Sequence, residues 1–249
     1  MDVTLHNAES INSSRHIPSW LFLAASAGSV NGFAFLLCQQ FVTHVSGTVT
    51  RLGLEWPRYG IAAEYGAVVA SFIIGAAISV VTIQARAWRG QQPRWAATLS
   101  TVAVILVGVA FVGHWGAFGR FESTLASDPP PVVVLSLLAF AMGLQNAVVA
   151  TSTGLAVRTT HLTGPATDLG IHLGTAILTH GAERSSAVRG IVLRGGKILA
   201  FIFGAGLMVP LARELGYLSL IVPATFIFAS AMRSFTTSWQ TAEVSPAVS

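Results

Sequence analysis

Charge is scarce in this chain. Only 14 Lys and Arg and 10 Asp and Glu occur among 249 residues, 10% of the total, where ordinary soluble domains carry about a quarter. With 53% hydrophobic residues and a mean hydropathy of +0.66, there are too few polar side chains to cover a soluble globule. The same composition excludes disorder, which needs low hydrophobicity and high charge. Cysteine is nearly absent. Cys38 stands alone, so an internal disulfide and a cysteine-built metal site are both excluded. It lies in an apolar run, where a free thiol behaves as a small buried hydrophobe. The nucleophile-elbow, His-Glu-x-x-His and phosphate-loop signatures are missing. Only Glu64 and Asp168 fall near membrane depth as candidate acids or bases, so no enzyme is expected. The net charge of +4 comes from scattered residues rather than a basic cluster with interleaved aromatics, and nucleic acid is not an expected partner.

Charge-free intervals run from His16 to Thr50, Tyr65 to Ala85, Trp95 to Gly119, and Pro129 to Val157, with shorter ones from Ile198 to Ala212 and Leu215 to Met232. About 20 apolar residues cross a bilayer core. The intervals therefore predict an all-α polytopic membrane protein with six transmembrane helices, near 19–40, 62–85, 95–114, 132–151, 191–212 and 215–233. The fifth includes Arg194 and Lys197, expected to snorkel from its first turns. Leu169–Ala182 is uncharged but short, and suits a partial pass. Trp20, Trp56, Trp88, Trp95, Trp115 and Trp239 fall near span ends or in loops, as in an interfacial aromatic belt. Small residues such as Gly75, Ala76, Ser79, Gly204 and Gly206 suit close helix packing in lipid. No cleaved signal peptide is expected, because apolar sequence continues past the small residues Ala25-Ser26-Ala27. Residues 18–233 read as one membrane domain between tails at 1–17 and 234–249. With six spans, ten basic residues fall on the side of the two tails and four on the other. The excess of positive charge places both tails in the cytoplasm.

The chain also repeats itself. Residues 43–53, Thr-His-Val-Ser-Gly-Thr-Val-Thr-Arg-Leu-Gly, match residues 160–170, Thr-His-Leu-Thr-Gly-Pro-Ala-Thr-Asp-Leu-Gly, at six of eleven positions. Upstream, Gly28-Ser-Val-Asn31 parallels Gly143-Leu-Gln-Asn146. Downstream, Phe72-Ile-Ile-Gly75-Ala parallels Phe201-Ile-Phe-Gly204-Ala. Each half, about 18–115 and about 132–233, then holds three spans and one motif after its first span. An odd number of spans inverts the second copy, the plan of many transporters, with sites at the repeat interface.

The motifs are rich in Gly, Ser and Thr, and suit re-entrant or broken helices lining a cavity. Gly47 and Gly164 permit a backbone break or close approach, and Pro165 suits a first helical turn. Arg51 aligns with Asp168, so an ion pair joining the halves is expected. His44 and His161 are the titratable residues duplicated in register, able to carry protons. Two histidines are too few for a metal site, and His172 and His180 are badly spaced to complete one, so neither a metal nor a cofactor is expected. The candidate pathway residues are Asn31, Thr43, His44, Ser46, Gly47, Asn146, Thr160, His161, Thr163 and Gly164. Asn31, Gln145 and Asn146 are buried amides that line a polar cavity or bond between helices.

These blocks, with Phe41-Val-Thr-His-x-Ser-Gly47 and Val157-Arg-Thr-Thr-x-x-Thr-Gly164, resemble the YoaK-like family of bacterial integral membrane proteins, domain of unknown function 1275. The resemblance covers about residues 18–233 and implies a multi-pass protein of the bacterial inner membrane. The family often carries Asp at the position of Asn31, and Thr-Gly-Asn where this chain has Ser46-Gly47-Thr48. The resemblance brings no substrate. The residues point to a transporter or channel for a small polar or ionic solute. The alternative is a non-transporting scaffold or accessory subunit. A lipid bilayer is the expected partner, and a homo-oligomer is compatible with the sequence.

Overall fold

The structure is a computed structural model that describes residues 4–119, 121, 132–160 and 162–236. Among these residues the regular structure is entirely helical. After a short α1 (Ala8–Ile11) come α2 (Ile17–Cys38), α3 (Val45–Leu54), α4 (Tyr59–Trp88), α5 (Trp95–His114), α6 (Val132–Ser152), α7 (Thr163–Leu178), α8 (Gly181–Leu215) and α9 (Ile221–Ser234), with a 3-10 turn (Gly216–Leu220) before α9. Five helical stretches are long and apolar enough to cross a membrane: α2, α4, α5, α6 and the continuous Gly181–Ser234. Trp239 lies outside the described residues.

α2 and α6 form the centre, with 67% of their apolar windows buried against 22% for α4. Uniformly apolar helices of this kind are either core or lipid-facing. Here α2 and α6 are core, and α4 turns Ile73, Ile74 and Val81 outward. α2 packs on α8 and α9, α6 packs on α4 and α5, and α5 packs on α9. The two main crossings use the same device. A Cβ on Gly28 would strike the Phe201 carbonyl, and one on Gly204 the Ala25 carbonyl. A Cβ on Gly143 would strike the Phe72 carbonyl, and one on Gly75 the Phe140 carbonyl. Backbones therefore touch at both crossings, as small residues allow in lipid. The matching blocks of the sequence are these crossings: the first helix of each half packs against the second helix of the other.

The contacts along α2 fix helix directions. Leu21 lies over Gly196, Gly28 over Phe201, and Gly32 over Ala205 and Met208, so α8 runs parallel to α2. α9 runs the opposite way. Phe226 stacks on Phe22 at 5.7 Å, and the Ser234 hydroxyl meets that of Ser19 at 2.6 Å. The chain reverses at Gly216, where φ is 54° and ψ is −128°, a conformation suited to glycine. The length of α8 differs from expectation. It extends from residue 181, so Arg194 and Lys197 sit well inside it rather than in its first turns. Lys197 is only 4% exposed, so it is a core residue and does not snorkel. Trp20 and Trp95 are likewise core residues, at 0% and 1% exposure, whereas Trp56, Trp88 and Trp115 are exposed.

The residues before α2 are docked against the helix ends. The Leu5 and His6 amides both donate to the Ser152 carbonyl, and Trp20 Nε1 donates to the Ile11 carbonyl at 3.0 Å. The His6 ring packs edge-on against Trp20 and Phe235 and lies 4.6 Å from the His16 ring. His16 Nδ1 meets the Ser234 hydroxyl at 2.9 Å. Burial, then the neighbouring His16, pushes His6 from 6.5 down to about 4. Burial, Arg15 and Arg233 push His16 the same way. A lowered folded value means the unfolded segment takes up a proton first. Docking is then complete above 6.5 and weakens as pH falls towards about 4. Hydrogen exchange of residues 4–12, corrected for intrinsic rates, should show protection at about pH 7.5 and partial loss at about pH 4.5. His6→Phe should remove most of that loss. An unchanged loss in His6→Phe would contradict the assignment.

Candidate functional site

Asn31, deep in α2, fixes the start of the first motif. Its Oδ1 accepts from the amides of Val42 and Thr43, both at 3.1 Å, and its Nδ2 donates to the Thr43 hydroxyl at 2.5 Å. α2 ends at Gln39 in the left-handed region, with φ 57°. The non-helical residues that follow would leave the amides of Val42 and Thr43 without acceptors, and a buried amide needs one. Asn31 supplies it. In the other half Gln145 has a related role. Its Nε2 donates to the Thr159 hydroxyl at 3.2 Å and to the Leu23 carbonyl at 3.0 Å, and its Oε1 accepts from Ser26 at 3.2 Å. One amide side chain thus ties α6, α2 and the second motif together.

Both motifs then become helical, as α3 and α7. α3 packs on α4, and α7 packs on α8. Pro165 stands in the first turn of α7, where its missing N–H costs nothing. Both helix starts reach one open cavity of about 250 Å³ between the two motifs (the central cavity). It is lined by Asn31, Phe41, Thr43, His44, Thr160, Leu162, Thr163 and Phe201. Five of the candidate pathway residues, two in one repeat motif and two in the other with Asn31, therefore share one space.

Two further cavities flank the motif helices. The α3-side cavity, about 220 Å³, is lined by Gln39, Gln40, Phe41, His44, Gly47, Thr48, Arg51 and Tyr65. The α7-side cavity, about 300 Å³, includes Ala156, Val157, Arg158, Gly164, Pro165, Asp168, Arg194 and Lys197. Seven of the eight residues lining the first have their aligned counterparts lining the second. The counterpart of His44 is His161, which lies outside the described residues. The α3-side cavity shares Phe41 and His44 with the central one.

Gly47 and Gly164 thus line the side cavities. A Cβ on Gly47 would press on the His44 ring, so glycine there leaves room for the imidazole. Ser46 lines none of these cavities; it is exposed on α3, and its carbonyl accepts from the Thr50 hydroxyl at 2.9 Å. Asn146 also lines none of them, and its Oδ1 has no described partner.

Arg51 and Asp168 do not meet among the described residues, and this corrects the expected interhalf pair. Arg51 donates to the Tyr65 hydroxyl at 3.3 Å, and Asp168 pairs with Arg194 at 3.4 Å. Counting back from the matching Phe72 and Phe201 blocks, Tyr65 aligns with Arg194. The two contacts are therefore equivalents, each made inside its own half between a motif helix and the next long helix. Alignment located the interacting position but not its partner.

Lys197, Arg158 and Arg194 stand in the α7-side cavity without any motif in the sequence that marks them as functional. Lys197 Nζ donates to the Arg158 carbonyl at 2.6 Å, tying α8 to the approach to the second motif. The available signal was its composition: it is the single lysine of the chain and falls in an otherwise apolar stretch. Among the described residues no group of three His, Cys, Asp or Glu side chains comes together to hold a metal ion.

No curated protein and no solved structure matches this chain. A family model does, over residues 19–232, which takes in both motifs, both glycine crossings and all three cavities, and the chain belongs to that family, described as protein of unknown function (DUF1275).

Proposed function

We propose that this protein carries a small polar or ionic solute across the bacterial inner membrane, as a transporter or channel. In this reading the chain crosses six times, as two inverted three-helix repeats, with both ends in the cytoplasm. The observation that carries the reading is the central cavity lined jointly by Thr43 and His44 of one motif and Thr160 and Thr163 of the other. Equivalent side cavities flank it. An inverted pair of half-helices meeting near mid-membrane is the arrangement found at transporter binding sites.

Helix directions support the same count. Reversal at Gly216 divides the stretch Gly181–Ser234 into two passes running opposite ways along α2. The neighbour relations also pair off under exchange of the halves: α2 on α8 with α6 on α4, α2 on α9 with α6 on α5, and α3 on α4 with α7 on α8. Uncapped backbone and hydroxyls at the motif starts are tolerated at depth because they line a cavity rather than lipid.

The test is a flux screen with the full chain in proteoliposomes, using small anions, cations and neutral polyols in parallel. At least one class should cross faster than in protein-free vesicles, and Thr163→Leu should lower that rate by about tenfold by filling the cavity with apolar bulk. Absence of flux for every class, with the protein folded and inserted, would favour the scaffold reading, in which the motifs only hold the halves together.

A further inference from the structure

The charges that line the three cavities are of nearly one sign. Arg51 stands in the α3-side cavity, with no carboxylate among the described residues that line it. Arg158, Arg194 and Lys197 stand in the α7-side cavity with one, Asp168, and Asp168 is already committed to Arg194 at 3.4 Å. No acid is among the described residues lining the central cavity. Among the described residues, four basic side chains therefore stand beside one carboxylate in these cavities.

Lys197 sharpens the imbalance. A buried ammonium needs a counter-charge or several hydrogen bonds. Lys197 is 4% exposed, and its described hydrogen bond goes to a neutral carbonyl. Arg158, on the rim, is exposed. The helix starts add the same sign. α3 begins after His44 and α7 after Leu162, neither with a side-chain cap, and both of those residues line the central cavity. The positive ends of two half-helices thus open on that space.

Resting on the pathway reading above, we propose that the solute is a small monovalent anion, held first between Arg158 and Lys197 and passed to the hydroxyls of the central cavity. Cations are excluded by Arg51 at one mouth and by Arg158 and Lys197 at the other. The Asp168–Arg194 pair holds α7 against α8, and no described carboxylate makes an ion pair with Lys197.

Proteoliposomes of the full chain, loaded in separate batches with sodium nitrate, sodium formate, rubidium gluconate or glycerol, distinguish the outcomes. Nitrate or formate efflux should exceed rubidium and glycerol efflux by at least about tenfold, as expected where like charge is repelled from a weakly screened route. Lys197→Met should lower anion efflux about tenfold, with Lys197→Arg retaining most of it, because charge rather than amine chemistry is required. Arg158→Gln, at an exposed position, should lower it several-fold and serves if Lys197→Met does not fold. Because Lys197 is the single lysine, nitrate should also slow its amine labelling in detergent. Rubidium or glycerol efflux without anion efflux would overturn the anion assignment and leave the pathway intact. No efflux of any of these would overturn both. Anion efflux unchanged in both Lys197→Met and Arg158→Gln would overturn the assigned site.

Discussion

Gly204→Leu should leave the protein severely destabilised, while Gly206→Leu, two residues away, should be nearly silent. At Gly204 a Cβ would collide with the Ala25 carbonyl, and the same crossing is already closed from the other side by Gly28 against the Phe201 carbonyl. Neither obstacle is a flexible side chain, so the helices would have to separate. Separation would break the bond from the Ser29 hydroxyl to the Gly204 carbonyl, 3.1 Å long. Overpacking a core ordinarily costs about 1–3 kcal/mol, and more where backbone must move. Gly206 has nothing within 4 Å. Thermal unfolding in detergent should show Gly204→Leu lowered by about 6–12 °C, the equivalent of ~3 kcal/mol in a chain this long. By the equivalence of the crossings, Gly75→Leu should behave alike, its Cβ meeting the Phe140 carbonyl. Equal stability of Gly204→Leu and Gly206→Leu would mean that the α2–α8 contact is wrongly drawn.

Asn31→Leu should abolish flux with a smaller loss of stability. The substitution removes three hydrogen bonds and leaves the buried amides of Val42 and Thr43 without their acceptor. Each such orphan costs about 1–3 kcal/mol. The cost is met most cheaply by letting residues 40–44 shift towards water, which withdraws Thr43 and His44 from the central cavity. Asn31→Asp offers a sharp comparison. The carboxylate still accepts from both amides, and the Thr43 hydroxyl can turn to donate to it, so the motif should stay in place. Hydrogen-exchange protection of residues 42–44, alongside melting temperatures, should stay near the wild type in Asn31→Asp and fall in Asn31→Leu, which separates placement of the motif from general instability. Wild-type flux in a folded Asn31→Leu protein would contradict a positioning role for Asn31.

The helices were legible where charge marks their ends. The expected span 95–114 coincides with α5, and 132–151 differs from α6 by one residue, because Arg94 and the polar segment before residue 132 set the limits. The charge-free interval falls short of α8, because a helix does not stop at a charge. Hydrogen bonding continues through Arg184, Arg189, Arg194 and Lys197, and the charge-free interval marks only the apolar portion. The shared cavity was legible through the repeat. Thr43, His44, Thr160 and Thr163 share a cavity although more than a hundred residues separate the motifs. The partners of Arg51 and Asp168 were not legible, since matching positions in two halves reveal equivalence and not contact. Trp20 and Trp95 escaped for a related reason: nearness to a span end says nothing about which side faces the bundle.

A single cysteine at position 163 gives the decisive measurement. Thr163→Cys is made in a Cys38→Ser background, where serine can keep the bond that Cys38 makes to the Ala34 carbonyl at 3.0 Å. Flux of the fastest-moving solute is then recorded before and after a bulky, water-soluble thiol reagent. If the cavity between the motifs is the pathway, the reagent reaches Cys at 163 and stops flux, while the Cys38→Ser parent is unaffected. Full labelling at 163 with flux unchanged would show that solute takes another route.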